Sequence, residues 1–219
     1  MTEYPLTPRN RVRRLPDRGH YDTTTIYAVI DAAPLCHVAF IEAGLPVSIP
    51  TLHARVDNRI LLHGSPGSRL MRHLRGGGEV AISFALLDGL AAAKSAFEHS
   101  VNYRSAVVFG KGMWLEGEDA IRAALRSFTE KLIPGRWDEV RPPSAEEIRV
   151  TAAAAVEIES ASAKARSGPP VEKPEDADTP VWNGLIPLRA QAGPVESEST
   201  LPLPPSILAY MRRINGEVD

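Results

Sequence analysis

Bulky apolar side chains alternate with small or polar ones along much of the chain, and this alternation predicts β-strands. Segment 79–87 (EVAISFALL) shows it most clearly, because Val80, Ile82, Phe84 and Leu86 recur at the period of two that places side chains on one face of a strand. The same criteria predict further strands at 35–41, 46–56, 59–64 and 102–117. The first three of these are separated by short spacings typical of hairpins. We therefore expect a mainly β, antiparallel fold of about six or seven strands.

Other patterns predict helices around this sheet. Residues 22–33 begin with capping side chains, and residues 118–133 carry apolar positions at spacings of three and four. A shorter helix is predicted after the strand 59–64, with Ser65 as N-cap, Pro66 at the first helical position and Gly76 at the end.

Composition divides the chain into three parts. Residues 1–20 are rich in arginine and proline and are interpreted as an extended arm; residues 21–160 form the predicted folded domain. Residues 161–219 are punctuated by prolines and are interpreted as a tail that packs on the domain or on a partner subunit. Within the domain, Asp88-Gly89 predicts a turn, and residues 149–159 suit a final strand, although their run of alanines also suits a helix.

Charge and cysteine content narrow the function classes. The 25 basic and 27 acidic residues give a formal net charge of −2, which argues against a nucleic-acid partner. The single cysteine, Cys36, excludes an internal disulfide and a cysteine zinc cluster, and it fits a reducing compartment. No apolar run is long enough to span a bilayer, so we expect a cytoplasmic protein with no membrane partner.

The stretch LLHGSPGSRLMRHLRGGG, residues 61–78, carries the clearest candidate chemistry. The hydroxyls of Ser65 and Ser68, the guanidinium of Arg69 and the free backbone N–H groups of the turn suit an anion, most naturally a phosphate. The alternative is that Ser65 only caps its helix, while Arg69, Arg72 and His73 form an exposed basic face.

The segment 50–53 and the two histidines His53 and His63 are further candidates for a binding site. Pro50 removes a ladder donor and marks an edge, a bulge or a ligand-facing place, so that Thr51, Leu52 and His53 could offer backbone groups to a ligand or form an ordinary edge strand. His53 and His63 could face one another, but no carboxylate or cysteine stands at matching spacing, and we expect no metal site.

A polar segment and a tryptophan complete the candidate residues. Asn102, Tyr103, Arg104 and Ser105 open an apolar strand, where they need a polar ligand, an interface or an ion pair. Trp182, in VWNGLIPL, could stack on a flat ring or anchor the tail in an apolar slot.

The order of these motifs resembles that of the pyridoxamine 5′-phosphate oxidase-like flavoproteins, and most closely the branch that contains nitroimidazole-resistance proteins and flavin-nucleotide-binding proteins. The likeness covers roughly residues 10–190. The motifs that carry it are the histidine-glycine-serine turn with SRLM, then DGL, SVNYRS, VVFGKG, SAKARSGPP, EDAD and VWNGLIPL.

The resemblance implies an FMN-binding split β-barrel and a homodimer with two FMN sites at its interface. It implies that Ser65, Ser68 and Arg69 hold the FMN phosphate, and that the remaining predicted cofactor-binding residues lie along or around the ring. These are Pro50, Thr51, Leu52, His53, His63, Gly64, Asn102, Tyr103, Arg104, Ser105 and, from the partner subunit, Trp182.

Two departures from the family pattern matter for function. Leu70 replaces the lysine that commonly follows the phosphate-binding arginine, which weakens cationic neutralisation. The last residues, LPLPPSILAYMRRINGEVD, lack the arginine–histidine pattern for the substrate phosphate of true pyridoxamine phosphate oxidases, so the vitamin B6 reaction is not expected.

The predicted function is that of an FMN-dependent oxidoreductase that passes electrons from a reduced donor to a small, flat substrate such as a nitroaromatic compound or a quinone. No catalytic residue is assigned, because the flavin itself carries the electron-transfer chemistry. The alternatives are a flavin-binding storage or sensor protein without turnover, and an enzyme that uses a deazaflavin or a haem on the same barrel.

Overall fold

The computed structural model describes residues 2–216, and within them the fold is mainly β with helices at the periphery. The strands are β1 Gly19–His20, β2 Cys36–Glu42, β3 Leu45–Thr51, β4 Ala54–Val56, β5 Arg59–Gly64, β6 Glu79–Ala92, β7 Ser100–Trp114, β8 Ala152–Glu157, β9 Ser160–Arg166 and β10 Gly184–Pro187. The α-helices are α1 Thr23–Ala32, α2 Arg69–Arg75, α3 Glu118–Leu132, α4 Ala145–Arg149 and α5 Pro205–Asn215.

The chain folds into two compact units. Unit one comprises residues 1–51, 79–110 and 158–189; unit two comprises residues 52–78, 111–157 and 190–219. Strand β7 is continuous, and its residues from 111 onward belong to unit two.

Unit one is a sheet of long antiparallel strands with one helix. Its strand order is β3-β2-β6-β7-β9-β1, and β10 also pairs with β6. In β6, Val80, Ile82 and Phe84 are buried as the alternation predicts. Helix α1 contacts β6 and β9, and its Ile26 and Ile30 are fully buried. Such burial of large aliphatic side chains is the main stabilising term in a core.

Unit two is organised around a strand of alanines. Strand β8 pairs with β5 on one side and with the end of β7 on the other. Helices α2 and α3 both contact it. Within residues 149–159, which suit a strand or a helix, the structure forms strand β8 over 152–157, whereas Arg149 ends helix α4. This strand is not the final one, because β9 and β10 follow it. Its small alanine side chains let the helices approach the sheet closely. The core cluster of this unit consists of Ala54, Leu61, Ala124, Phe128, Ala153 and Ala155.

Two predicted local features are wrong. The single strand 46–56 is interrupted at residues 52–53, because β3 pairs with β2 while β4 pairs with β5. Asp88-Gly89 is not a turn but lies inside β6. Gly89 pairs with Pro187, and a Cβ on it would stand 3.0 Å from the carbonyl oxygen of Ile186. The glycine therefore permits close backbone approach.

The described residues contain ten strands rather than six or seven. The additional ones include three short strands of two to four residues, β1, β4 and β10. The segments interpreted as arm and tail also carry order: Asn10 is buried and donates to the carbonyl of Ala161 at 3.1 Å, and β9 runs to Arg166. None of the described helices is long and apolar enough to cross a membrane.

Gly112→Ala should destabilise the protein by about 1–3 kcal/mol, the range for overpacking a close contact. A Cβ at Gly112 would stand 2.4 Å from the carbonyl oxygen and 2.6 Å from the Cα of Leu74, so the backbone of α2 would have to move. Urea unfolding measures the change. Gly193→Ala is the matched control, since nothing lies within 4 Å of its Cβ position. Equal stability of the two variants would contradict the packing described here.

Candidate functional site

The serine- and arginine-containing turn after β5 belongs entirely to unit two. Ser68 donates its backbone N–H to the carbonyl of Ser65 at 2.9 Å, which closes a four-residue turn. Helix α2 then begins at Arg69 with Ser68 as N-cap, and the Ser68 Oγ accepts from the Met71 N–H at 3.3 Å. The prediction that Ser65 is the N-cap is therefore wrong, because Ser65 and Pro66 form the turn instead. The predicted stop at Gly76 is confirmed.

The surface of this turn is polar and cationic. Ser65 and Arg69 are exposed, and Ser68 is half-buried. Arg72 reaches back from α2 and donates to the carbonyl of Gly67 at 2.8 Å. Because Ser68 accepts at its oxygen, its own O–H remains able to donate. The turn thus combines two hydroxyl groups with guanidinium groups.

His63 and Gly64 form the end of β5, just before the turn. The His63 ring is half-buried against the ring of Phe128, with 4.4 Å between centroids. Burial lowers the pKa of His63 from its ordinary 6.5, so its neutral imidazole form is favoured. Gly64 has no side chain where a Cβ would meet Met71 Cγ at 3.3 Å and Ser68 Oγ at 3.5 Å. This lets the turn fold back onto α2.

The segment 50–53 divides between the units. Pro50 and Thr51 end β3, which is the edge strand of the unit-one sheet and pairs with β2; Pro50 stands opposite His37. The edge position of Pro50 is one of the predicted readings, and it is confirmed. Leu52 and His53 belong to unit two, where His53 is fully buried and Leu52 packs on the core cluster.

The residues 102–105 lie near the start of β7 in unit one. The Arg104 guanidinium makes two bonds to the Asp88 carboxylate, at 2.9 and 2.7 Å, so the ion-pair alternative holds for it. Ser105 donates to the carbonyl of Lys164 at 3.1 Å. Asn102 is buried and bonds to Arg166 and to the carbonyl of Gly168. Tyr103 is half-buried and stands opposite Arg166.

Trp182 precedes β10 in unit one and keeps 68% of its surface exposed. The indole lies over Gly184, where a Cβ would stand 2.7 Å from it. The side chain is therefore held by a glycine backbone rather than enclosed in an apolar slot within unit one.

The structure thus groups the predicted residues by unit. The segment 63–69 of unit two contains His63, Gly64, Ser65, Ser68 and Arg69. In unit one, Asn102 and Arg104 have protein partners. Sequence reasoning missed Arg166 and Asp88 as the partners of these two residues, and Phe128 as the ring that packs on His63. An alternation pattern shows which residues share a face, but it does not show which charged side chain is buried.

Comparison with known proteins identifies the family. The model of the family described as pyridoxamine 5′-phosphate oxidase matches residues 22–165. The chain belongs to this family. The split-barrel fold expected from the sequence is therefore the family fold. No curated protein matches the chain.

Two solved structures of high similarity extend the family relation over nearly the whole chain. The flavocytochrome Anf3 from Azotobacter vinelandii is 37% identical, with a TM-score of 0.87 over 95% of this chain and 98% of that one. An FAD and haem binding protein from Mycobacterium smegmatis is 34% identical, with a TM-score of 0.83 over 89% and 97%. A 5-nitroimidazole antibiotic resistance protein described as putative, from Bacteroides thetaiotaomicron, shares the fold at 21% identity, a TM-score of 0.58 and 67% and 85% coverage.

The His63 resonance should titrate with a midpoint below 6.5 in the folded protein, because burial against Phe128 disfavours the charged ring. NMR titration measures the midpoint, and His63→Gln assigns the resonance by its loss. The urea-unfolded chain is the control, with a midpoint of about 6.5. Since the unfolded chain binds this proton more readily, stability from this group is present above pH 6.5 and falls as the pH drops through the lower folded pKa. A folded midpoint at or above 6.5 would contradict the burial.

Proposed function

We propose that this chain is a flavin-binding redox protein. The observation that carries the proposal is its likeness, over nearly the full length of both chains, to a flavocytochrome and to an FAD and haem binding protein. Identities of 37% and 34% extend well beyond the likeness of fold alone.

The turn after β5 suits the flavin phosphate. Ser65, Ser68 and Arg69 are its proposed ligands, with Arg72 next to them on α2. Charge-assisted bonds from guanidinium groups to phosphate are about twice as strong as neutral ones. Helix α2 has only seven residues, so the arginines rather than the helix dipole supply most of the attraction. Because Leu70 stands where the family commonly has a lysine, the arginines must supply the positive charge for the phosphate.

The same turn suits FMN and FAD, since both carry a phosphate on the ribityl chain. The sequence resemblance favours FMN, whereas the Mycobacterium smegmatis relative is named for FAD. When bound, the flavin supplies hydride or single-electron transfer, and the protein supplies binding and orientation. The other predicted contacts, from residues 50–53, from 102–105 and from Trp182, remain part of this proposal.

A haem is the second group that the same two relatives favour. The protein would hold a haem through a side chain such as a histidine imidazole, and a bound haem would supply one-electron transfer. A neutral imidazole is the form that binds a metal, and half-buried His63, with its lowered pKa, fits this requirement. Among the described residues there is no group of three side chains that would hold a bare metal ion.

We further propose that the flavin, when bound, would supply electrons to a small, flat acceptor such as a nitroaromatic compound or a quinone, and that a haem, where one is bound, would be an alternative acceptor. A storage or sensor protein would bind the same flavin without turnover. Oxidation of NAD(P)H with and without a quinone separates these functions: acceptor-dependent oxidation supports the enzyme, and its absence supports the binding protein.

Arg69→Ala should weaken the binding of FMN or FAD about tenfold or more, which corresponds to roughly 1.4–3 kcal/mol from the lost guanidinium–phosphate bonds. Fluorescence titration of the cofactor-free protein measures both affinities. Arg149→Ala is the control, because Arg149 is exposed and its partner is Glu146. Unchanged affinity in the Arg69 variant would place the phosphate elsewhere.

The protein should form a homodimer, as the family resemblance implies. The hairpin of β2 and β3 leaves Ile41 61% and Leu45 67% exposed, and a second copy would cover such apolar surface. Light scattering should give twice the chain mass of 23.8 kDa. Leu45→Glu should weaken association, whereas Leu201→Glu, at an exposed position in the tail, should not. A monomeric wild-type protein would refute the proposal.

A further inference from the structure

Unit one contains a buried arginine that the proposed function does not use. Arg166, the last residue of β9, is only 7% exposed. Its Nη1 donates to the Oδ1 of Asn102, and its Nη2 donates to the carbonyl of Pro169 at 2.9 Å. Both acceptors are neutral.

The charge of Arg166 therefore lacks a counter-ion among residues 2–216, which the structure describes. No carboxylate of the described residues forms an ion pair with it, whereas Arg104 on the neighbouring strand is paired with Asp88. A buried charge is costly unless an opposite charge compensates it. A guanidinium carries five N–H donors, so its two bonds to protein leave donors for another acceptor.

The bonds of Arg166 also hold the turn that follows β9. Asn102 donates to the carbonyl of Gly168 at 3.0 Å, and Gly168 has a φ of 100°, which favours glycine. A neutral donor would serve this purpose without the cost of a buried charge. The turn therefore accounts for the bonds of Arg166 but not for its charge.

Arg166 lines a cleft of about 470 Å³ in unit one. Arg18 and His20 line the same cleft, and Asp17 is the carboxylate among its lining residues. The remaining wall is formed by Ala165, Ser167, Pro169, Pro170 and Val171. The cleft thus carries a positive excess beside small and apolar surface, which suits an organic anion.

We infer that this cleft binds an oxyanion group, a carboxylate or a phosphate, and that Arg166 is its buried counter-charge. The planar fork of a guanidinium matches the oxygens of both groups. The site lies in unit one, whereas the proposed flavin-phosphate turn lies in unit two, and the inference does not depend on the identity of the cofactor.

Calorimetric titration of the full chain with inorganic phosphate and, separately, with succinate tests the inference. Constant ionic strength removes differences in screening between titrations. The wild type should bind at least one probe saturably. Arg166→Gln should weaken that binding about tenfold or more, in line with the loss of charge-assisted bonds.

Asn102→Asp provides a second test that does not remove the arginine. It places a carboxylate against Arg166 and compensates the charge from inside the protein, so binding should weaken about as much. Arg149→Gln, which removes an exposed charge in unit two, should bind as the wild type does. Arg69→Ala distinguishes this site from the proposed flavin-phosphate turn. Phosphate binding at the turn should be weakened in this variant, whereas binding that depends on Arg166 should persist.

The results distinguish the two sites. Phosphate binding alone indicates a phosphate-bearing ligand, and succinate binding alone indicates a carboxylate-bearing one; either supports the inference. No saturable binding by the wild type would overturn it. So would wild-type affinity in a folded Arg166→Gln or in Asn102→Asp, or binding that only Arg69→Ala removes.

Discussion

Close approach of α2 to the sheet of unit two is the constraint on which the candidate site depends. Gly112 lacks a side chain where the backbone of Leu74 passes, and the alanines of β8 take up little space beneath the helices. The position of α2 in turn fixes the turn from Ser65 to Ser68, which joins it to β5. The proposed phosphate binding at Arg69 therefore depends on Gly112 and the alanines of β8, residues that would not contact the phosphate themselves.

Periodicity predicted the long elements of this protein because each one buries a single face. The alternation along β6 and the caps of α1 both identify elements that the structure contains. Periodicity failed where contacts between distant segments decide the local structure. Asp88-Gly89 predicts a turn, but Gly89 lies within β6 and permits the close approach of β10. The predicted strand 46–56 breaks because its two halves pair with different strands.

In the candidate site too, the sequence could indicate some residues but not the partners that tertiary contacts give to others. The residues of the proposed phosphate-binding turn lie close together along the chain, so the sequence alone offers them as candidates, although the helix cap is Ser68 rather than Ser65. The partners of Asn102 and Arg104 could not be named. Arg166 is 64 residues from Asn102, and Asp88 is 16 residues from Arg104. In each pair the two residues lie on neighbouring strands, and only the folded sheet brings them together. Family membership adds the class of cofactor, which no local pattern specifies.

The visible absorption spectrum of the protein as purified, with mass spectrometry of what denaturation releases, tests the central claim most directly. The account predicts flavin bands and release of FMN or FAD, and a Soret band as well where a haem is bound. The mass of the released nucleotide would also decide whether the bound flavin is FMN or FAD. A colourless protein whose spectrum and FMN and FAD titrations show no binding would contradict the claim and leave the family relation as one of fold.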